Sequence, residues 1–221
     1  SFGANRFKLD QFGLASQVRQ INMKAARNAR EAREISGQPV LIAGSVGPTG
    51  RTLPPIGTAR PEQVRAAFRE QISALLEGGV DLLIIETIPS LVEMREALLA
   101  ARDVSDLPIV AQLTFAQDGR TVSGNTSYEV VEELRAYAPD VIGANCSVGP
   151  RHTLDVIRAM KRYAGSDLRL AGQQNAGWPM DVGGRVIYRS SPEYFSDYAR
   201  DAAELGLSLI GGCCGTTPLH I

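Results

Sequence analysis

No apolar run in this sequence approaches the roughly 20 residues that a membrane-spanning helix needs, so no helical span is expected. Neither sign of charge dominates. The 23 Lys and Arg stand against 24 Asp and Glu, a net charge of −1, which removes the electrostatic reason to expect nucleic acid or an anionic membrane as partner. The opening SFGANRFKLD lacks the basic-then-apolar pattern of a signal peptide. Cysteine is scarce and odd in number, three in 221 residues, which excludes a disulfide framework and suits a reducing cytoplasm. Low-complexity tracts, charge runs and linkers are missing too, so residues 1–221 are expected to form a single domain. With only His152 and His220 to draw on, a zinc hydrolase built on His and carboxylate ligands is a poor fit.

What is present is a repeating unit: a short apolar run, then an amphipathic stretch. The apolar runs are Val40–Val46, Leu82–Glu86, Ile109–Phe115, Val141–Cys146, Leu168–Gln173 and Leu207–Ile210. Each has strand length, and most are rich in Val, Ile and Leu, as parallel strands buried on both faces are. Between them, residues 61–78 place Val64, Ala67, Phe68, Ile72, Leu75 and Leu76 on one helical face, with Pro61 in the first turn and Gly78-Gly79 at the end. Residues 17–35 predict a helix with Val18, Ile21, Ala25, Ala29, Ala32 and Ile35 along one stripe. Ser90 with Glu93 reads as a capping box. Ser191-Pro192 opens a further helix, with Phe195, Tyr198, Ala199, Ala202 and Leu205 facing inward.

Strands alternating with helices predict an α/β fold with a parallel sheet. An open dinucleotide-binding sheet carries GxGxxG in its first turn, and Gly44-Ser-Val-Gly47 does not fit that pattern. Polar and cysteine residues gather instead at the C-terminal ends of different strands: Glu86, Asn145, Cys146, Cys213 and Cys214. In a (β/α)8 TIM barrel those ends converge on one mouth. The expected fold is therefore a TIM barrel, incomplete here, with about six of eight strands; the N-terminal strands and the last helix are missing.

Cys146 closes Gly143-Ala-Asn-Cys, and Cys213-Cys214 lie in Gly211-Gly-Cys-Cys-Gly-Thr-Thr. Neighbours in a regular strand point to opposite faces, so adjacent cysteines address one point only where the backbone bends. Gly211, Gly212 and Gly215 are expected to permit such a bend. Three readings stand at this stage: buried small hydrophobes, a redox pair at Cys213-Cys214 without the CxxC spacing, or metal ligands. Three thiolates favour zinc and leave a fourth tetrahedral position open, as in catalytic sites. A soft incoming thiol suits that position better than water does. His152 reads as a solvated residue in a helix's first turn, and His220 carries no signal.

These motifs resemble the zinc-binding homocysteine S-methyltransferase family. Ser1-Phe-Gly-Ala-Asn, Gly44-Ser-Val-Gly-Pro, Ile85-Glu-Thr, Ser123-Gly, Asn145-Cys146, Asn175-Ala-Gly and Gly211-Gly-Cys-Cys-Gly-Thr-Thr-Pro stand in the family's order. The stretch from Asn175-Ala-Gly-Trp-Pro through Gly184-Arg-Val-Ile-Tyr to Ser191-Pro-Glu-Tyr-Phe is most similar to bacterial bifunctional members, in which a methylenetetrahydrofolate reductase domain follows. The resemblance implies a methyltransferase of methionine biosynthesis in which a zinc-bound homocysteine thiolate accepts a methyl group. It implies Cys146, Cys213 and Cys214 as catalytic zinc ligands and Glu86 as the partner of the homocysteine amino group. Asn145 and, more weakly, Asn175 are candidates for orienting substrate or ligands; Thr216 and Thr217 are expected to tie down the turn. The implied partners are homocysteine and a methyl donor, whether methylfolate, S-methylmethionine, S-adenosylmethionine or betaine, with a C-terminal reductase domain in the full-length parent. The family's first strand, with its Asp-Gly, has no counterpart here, so little activity is expected of residues 1–221 alone. Two other classes compete: a non-catalytic barrel with structural zinc or none, and a thiol–disulfide enzyme using Cys213-Cys214.

Overall fold

Strands form where β-branched and leucine residues run together, and helices where apolar residues recur every three or four positions. The structure, a computed structural model, describes residues 1–146 and 148–221. Ser147, the last residue of the Asn-Cys-Ser stretch, lies outside the described residues. Two units divide the chain: Ser1–Ile88 with Val92–Ala111, and Pro89–Leu91 with Gln112–Ile221.

The first unit runs through α1 (Arg6–Asp10), α2 (Val18–Ser36), β1 (Ala43–Val46), α3 (Pro61–Gly78), β2 (Leu82–Ile88) and α4 (Leu91–Arg102) into β3 (Ile109–Leu113). β1 and β2 pair in parallel, Ala43 opposite Leu82 and Val46 opposite Ile85. Phe68, Ile72 and Leu75 of α3 are fully buried, as are Leu83 and Ile85 of β2 and Leu98 of α4. Burying one such side chain stabilises by about 1.5–3 kcal/mol. Among them Glu93 is also buried, and its carboxylate accepts from the Thr49 amide at 2.7 Å and the Thr49 hydroxyl at 2.6 Å. Burial pushes the Glu93 carboxyl above the usual carboxylate range, against the two Thr49 hydrogen bonds.

Two expectations are corrected here. The buried side of α2 is Val18, Asn22 and Ala26, whereas Ala29, Ala32 and Ile35 are exposed. The small alanines give no strong apolar stripe, and polar Asn22 is drawn inside because its amide donates to the carbonyls of Ala4 (2.9 Å) and Val18 (2.8 Å). The first strand begins at Ala43 and not at Val40; Val40 and Leu41 are exposed. Asp81 takes the place of the ladder there, accepting from the Ile42 amide at 2.7 Å and pairing with Arg33 at 2.8 Å.

The second unit continues β3 and holds α5 (Ser127–Arg135), β4 (Val141–Asn145), α6 (Pro150–Ala164), β5 (Arg169–Gln174), β6 (Met180–Val182), β7 (Arg185–Ile187), α7 (Pro192–Glu204) and β8 (Leu209–Gly212). Its strands lie in the order β3-β4-β5-β8. β4 pairs in parallel with β5 (Val141 opposite Arg169), and β5 with β8 (Ala171 opposite Leu209). Ser191 caps α7 and Pro192 occupies its first position, as read from the sequence; Phe195, Tyr198 and Ala202 are buried, with Leu205 packed against them. Thr126 and Glu129 form a reciprocal capping box on α5.

The β6–β7 hairpin was not among the expected strands. All six of its strand residues are exposed, so it lacks the buried apolar pattern by which strands are recognised. Its two-residue turn is Gly183-Gly184, both with positive φ (61° and 77°), the backbone a tight hairpin requires. Within each unit, parallel strands alternate with helices, the α/β pattern of part of a (β/α) barrel.

Candidate metal centre

β4 ends at Asn145, and the chain turns at the next residue. Cys146 keeps its amide in the ladder, donating to the Gln173 carbonyl at 3.0 Å, but adopts φ +61°, the left-handed region. Strand alternation would send Asn145 and Cys146 to opposite faces. The left-handed residue cancels that alternation, and both side chains meet the cysteines of β8. The Cys146 Sγ lies 3.7 Å from the Cys214 Sγ, and the Asn145 amide nitrogen lies 3.8 Å from the Cys213 Sγ. A non-glycine residue in this conformation costs about 1–2 kcal/mol. Strain of that size persists where the surroundings over-determine it, and such places are commonly functional.

The β8 side is built from hydrogen bonds. Cys213 donates its amide to the Gln174 carbonyl at 2.7 Å, and Cys214 donates its own to the Asn175 Oδ1 at 3.1 Å. The Cys214 carbonyl accepts from the Ala176 amide at 2.9 Å, and the Cys213 carbonyl from the Thr216 hydroxyl at 2.7 Å. Every backbone polar group of the pair is thus engaged, which holds the two thiols on one side of the bend. Asn175 is therefore a brace of the cysteine turn. Thr216 ties that turn down as expected, and Thr217 joins it by donating its amide to the His220 Nδ1 at 3.1 Å.

The three glycines around the pair divide the work differently from the sequence expectation. Only Gly215 has positive φ, at 78°. Gly211 and Gly212 keep ordinary strand backbone and differ in how tightly they are enclosed: a Cβ on Gly212 would lie 2.5 Å from the Thr216 methyl, whereas one on Gly211 would meet only the movable end of Gln173 at 2.9 Å.

Cys213 and Cys214 are 4.0 Å apart at sulfur, and all three sulfurs lie within 4.8 Å of one another. Tetrahedral bonds of about 2.3 Å to zinc place thiolate sulfurs about 3.8 Å apart. The arrangement fits a metal ion. Among the described residues it is the one group of three or more Cys, His, Asp or Glu side chains whose ligand atoms converge. Cys146 and Cys213 are half-buried and Cys214 is exposed, so the sulfurs are reachable from outside.

The electrostatics point the same way. The Cys213 thiol is pushed well above its ordinary range, first by its hydrogen bond with Cys146, then by burial and the neighbouring sulfur charges. The Cys214 thiol is raised too, first by burial, then by the charge of Cys146. Three thiols this close cannot all ionise unaided, and a divalent cation bound among them would supply the missing positive charge.

Glu86 lies on β2 in the first unit, where its Oε1 accepts from the Ser45 hydroxyl at 2.7 Å. His152 is exposed in the first turn of α6, as its position in the sequence implied. His220 does more than was expected of it. Its Nδ1 accepts from the Thr217 amide, which leaves Nε2 carrying the proton and donating to the Ser190 carbonyl at 3.0 Å. Tyr188 was missed as well: it lies against Gly215 and beside Cys214, although 26 residues of chain separate it from that cysteine. No local pattern around residue 188 announces this, because the contact depends on how the hairpin folds back.

No helix among the described residues is long and apolar enough to cross a membrane. Residues 1–221 match the family model described as homocysteine S-methyltransferase. The methionine synthase of Mycobacterium tuberculosis is 30% identical over 230 residues, covering 100% of this chain and 19% of that protein; the one from Mycobacterium leprae is 29% identical with the same coverage. The chain thus spans about a fifth of the length of the curated relatives it matches. Among solved structures, the metallated homocysteine methyltransferase MmuM of Escherichia coli superimposes with a TM-score of 0.80 at 25% identity, over 100% of this chain and 75% of that one. That likeness carries the fold, α/β of the incomplete-barrel kind. With three converging sulfurs and a family match from first residue to last, the chain belongs to the homocysteine S-methyltransferase family.

Proposed function

We propose that Cys146, Cys213 and Cys214 hold one zinc ion and that this domain methylates homocysteine. The observation that carries the reading is the convergence of three sulfurs from two strand ends at zinc–thiolate spacing. Zinc held by three thiolates supplies a soft Lewis acid that favours the ionised form of an incoming thiol while leaving its sulfur nucleophilic. In the overall reaction the thiol loses its proton, the homocysteine sulfur forms a bond to the donor's electrophilic methyl, and the donor departs with the electron pair of the broken bond. Methionine results. Methylfolate, S-methylmethionine, S-adenosylmethionine and betaine all fit this balance as donors.

The chain's own contribution is placement. Glu86 is proposed to take the substrate ammonium as a charge-assisted partner, its carboxylate oriented by the Ser45 hydroxyl. Asn145, 1% exposed and directed at the Cys213 sulfur, is proposed to orient that ligand. A reducing compartment such as the cytoplasm suits three free thiols.

X-ray absorption at the zinc edge, with and without homocysteine, tests the reading. The expected result is one zinc per chain with three sulfur ligands, rising to four on addition of homocysteine. Freshly purified, reduced protein without stoichiometric metal would overturn it, and an unchanged sulfur count with homocysteine would move the site to the structural class. Against a disulfide enzyme using Cys213-Cys214 stands the spacing: Cys214 is nearer to Cys146 (3.7 Å) than to Cys213 (4.0 Å).

A further inference from the structure

The segment after the hairpin, Tyr188–Ser190, crosses directly over the Cys213-Cys214 bend. The Tyr188 ring lies so close to Gly215 that a Cβ there would fall 2.3 Å from the ring's Cγ and 2.4 Å from its Cδ2. The far end of the segment is pinned twice: the Ser190 amide donates to the Ala176 carbonyl at 2.9 Å, and the Ser190 carbonyl accepts from the His220 Nε2 at 3.0 Å. Ala176 in turn donates to the Cys214 carbonyl at 2.9 Å. His220 is itself fixed, by the Thr217 hydroxyl 2.9 Å from its Nδ1 and by edge-on contact with Phe195, ring centres 5.0 Å apart. A strap anchored at this many points is stiff, and the one large side chain it sets against the metal-ligating turn is Tyr188.

We propose that Tyr188 is a positioning residue of the metal centre: its ring seats the Cys214-Gly215 bend, and its hydroxyl donates a hydrogen bond to the Cys214 sulfur. Of the three cysteines, Cys214 is the most exposed, and it is the one whose backbone would otherwise be held only from the Asn175-Ala176 side. The ring's seat on Gly215 sets the phenol beside Cys214, the sulfur to which it is proposed to donate. A donor on a thiolate lowers the energy of the sulfur electrons, which tunes a bound metal, while the ring limits the movement of the ligand. Neither role requires Tyr188 to touch substrate.

This inference rests on the metal reading above, and the test keeps the two apart. Full-length protein is loaded with cobalt(II) in place of zinc, and affinity is measured by competition with a chelator. If wild-type protein fails to bind one cobalt with thiolate charge-transfer bands, the metal reading itself fails. With that satisfied, Tyr188→Phe is expected to keep full stoichiometry, to shift the thiolate charge-transfer band to lower energy, and to weaken binding by about 3- to 10-fold. Tyr188→Ala, which also removes the ring from Gly215, is expected to weaken it by about 10- to 100-fold, the range found for outer-shell changes. A Tyr188→Phe protein with the wild-type band and affinity would overturn the hydroxyl's role, and a Tyr188→Ala protein with wild-type affinity would overturn the ring's. Should Tyr188→Ala not fold, a thermal melt will reveal it. His220→Ala, which releases the strap at Ser190, then tests the same seating: weakened cobalt binding supports it and wild-type affinity overturns it.

Discussion

β4 and β8 each deliver thiols to the same point, but by different means. β4 presents one cysteine by forcing it into the left-handed region at φ +61°, with strain localised in a single residue. β8 presents two through a bend in which every backbone group of Cys213 and Cys214 is hydrogen-bonded and the positive φ falls on a glycine, Gly215. The first end is strained although its backbone is tied, the Cys146 amide to the Gln173 carbonyl and the Cys146 carbonyl to the Val148 amide. The second is relaxed and tied to Gln174, Asn175, Ala176 and Thr216. The difference between the two ends is where the positive φ falls, on a cysteine at β4 and on a glycine at β8.

The comparison breaks most sharply at the ligands. Cys146→Ser is expected to weaken zinc binding by more than the roughly 100-fold that outer-shell changes reach, with the circular dichroism of the fold retained. Cys146→Gly should lose the metal equally but relieve the left-handed strain, leaving the metal-free protein as stable as wild type or up to about 1 kcal/mol more stable in denaturant titration. Equal destabilisation by Ser and Gly would show that the turn carries no strain. On the β8 side the sign reverses. Gly215→Ala meets both a positive φ and the Tyr188 ring, and is expected to cost about 1–3 kcal/mol, read as a lower melting temperature with or without metal.

Acidity offers a gentler probe of both ends. Because the Cys213 and Cys214 thiols lie above their ordinary range in the metal-free fold, metal must displace their protons. Zinc affinity should therefore fall with falling pH, by about 10-fold or more per pH unit near neutrality, in chelator competition across pH 6–8. The linkage for the metal-free fold has the opposite sign. Raised folded-state values give stability that is complete below the unfolded thiol range and is lost as pH rises through the folded one. Alkali should destabilise the metal-free protein, and zinc should remove that dependence. The smallest effect is expected from Asn175→Ala, which leaves the Cys214 amide without its side-chain acceptor: about 1 kcal/mol of stability and a several-fold loss of zinc affinity. No change in either would return Asn175 to the role of an ordinary loop residue.

Much of the fold was legible because it rests on local periodicity. Pro61–Gly78 has the bounds its apolar spacing and end residues imply, and all six apolar runs became strands. The errors fell where tertiary contacts overrode the pattern. Asp81 took over the ladder's role at Ile42, Asn22 turned inward to donate to the Ala4 and Val18 carbonyls, and the exposed hairpin had no buried face to betray it.

The sequence by itself pointed to the family and singled out the three cysteines as candidate ligands. Three cysteines in two distinctive motifs are a chemical inventory, and side-chain chemistry does not depend on folding to be read. It could also place those cysteines at strand ends, since strand length and β-branched content are local properties. Only the tertiary structure decided how they converge. The reversal at Cys146 and the division of labour among Gly211, Gly212 and Gly215 depend on backbone dihedrals and clearances that only the folded chain fixes. The same holds for the strap that sets Tyr188 against Cys214 and for the proton on the His220 Nε2. The Cys146 and Tyr188 placements arise from contacts across 26 to 68 residues of chain, and those of Gly212 with Thr216 and of His220 with Thr217 from turns whose geometry a linear pattern does not carry.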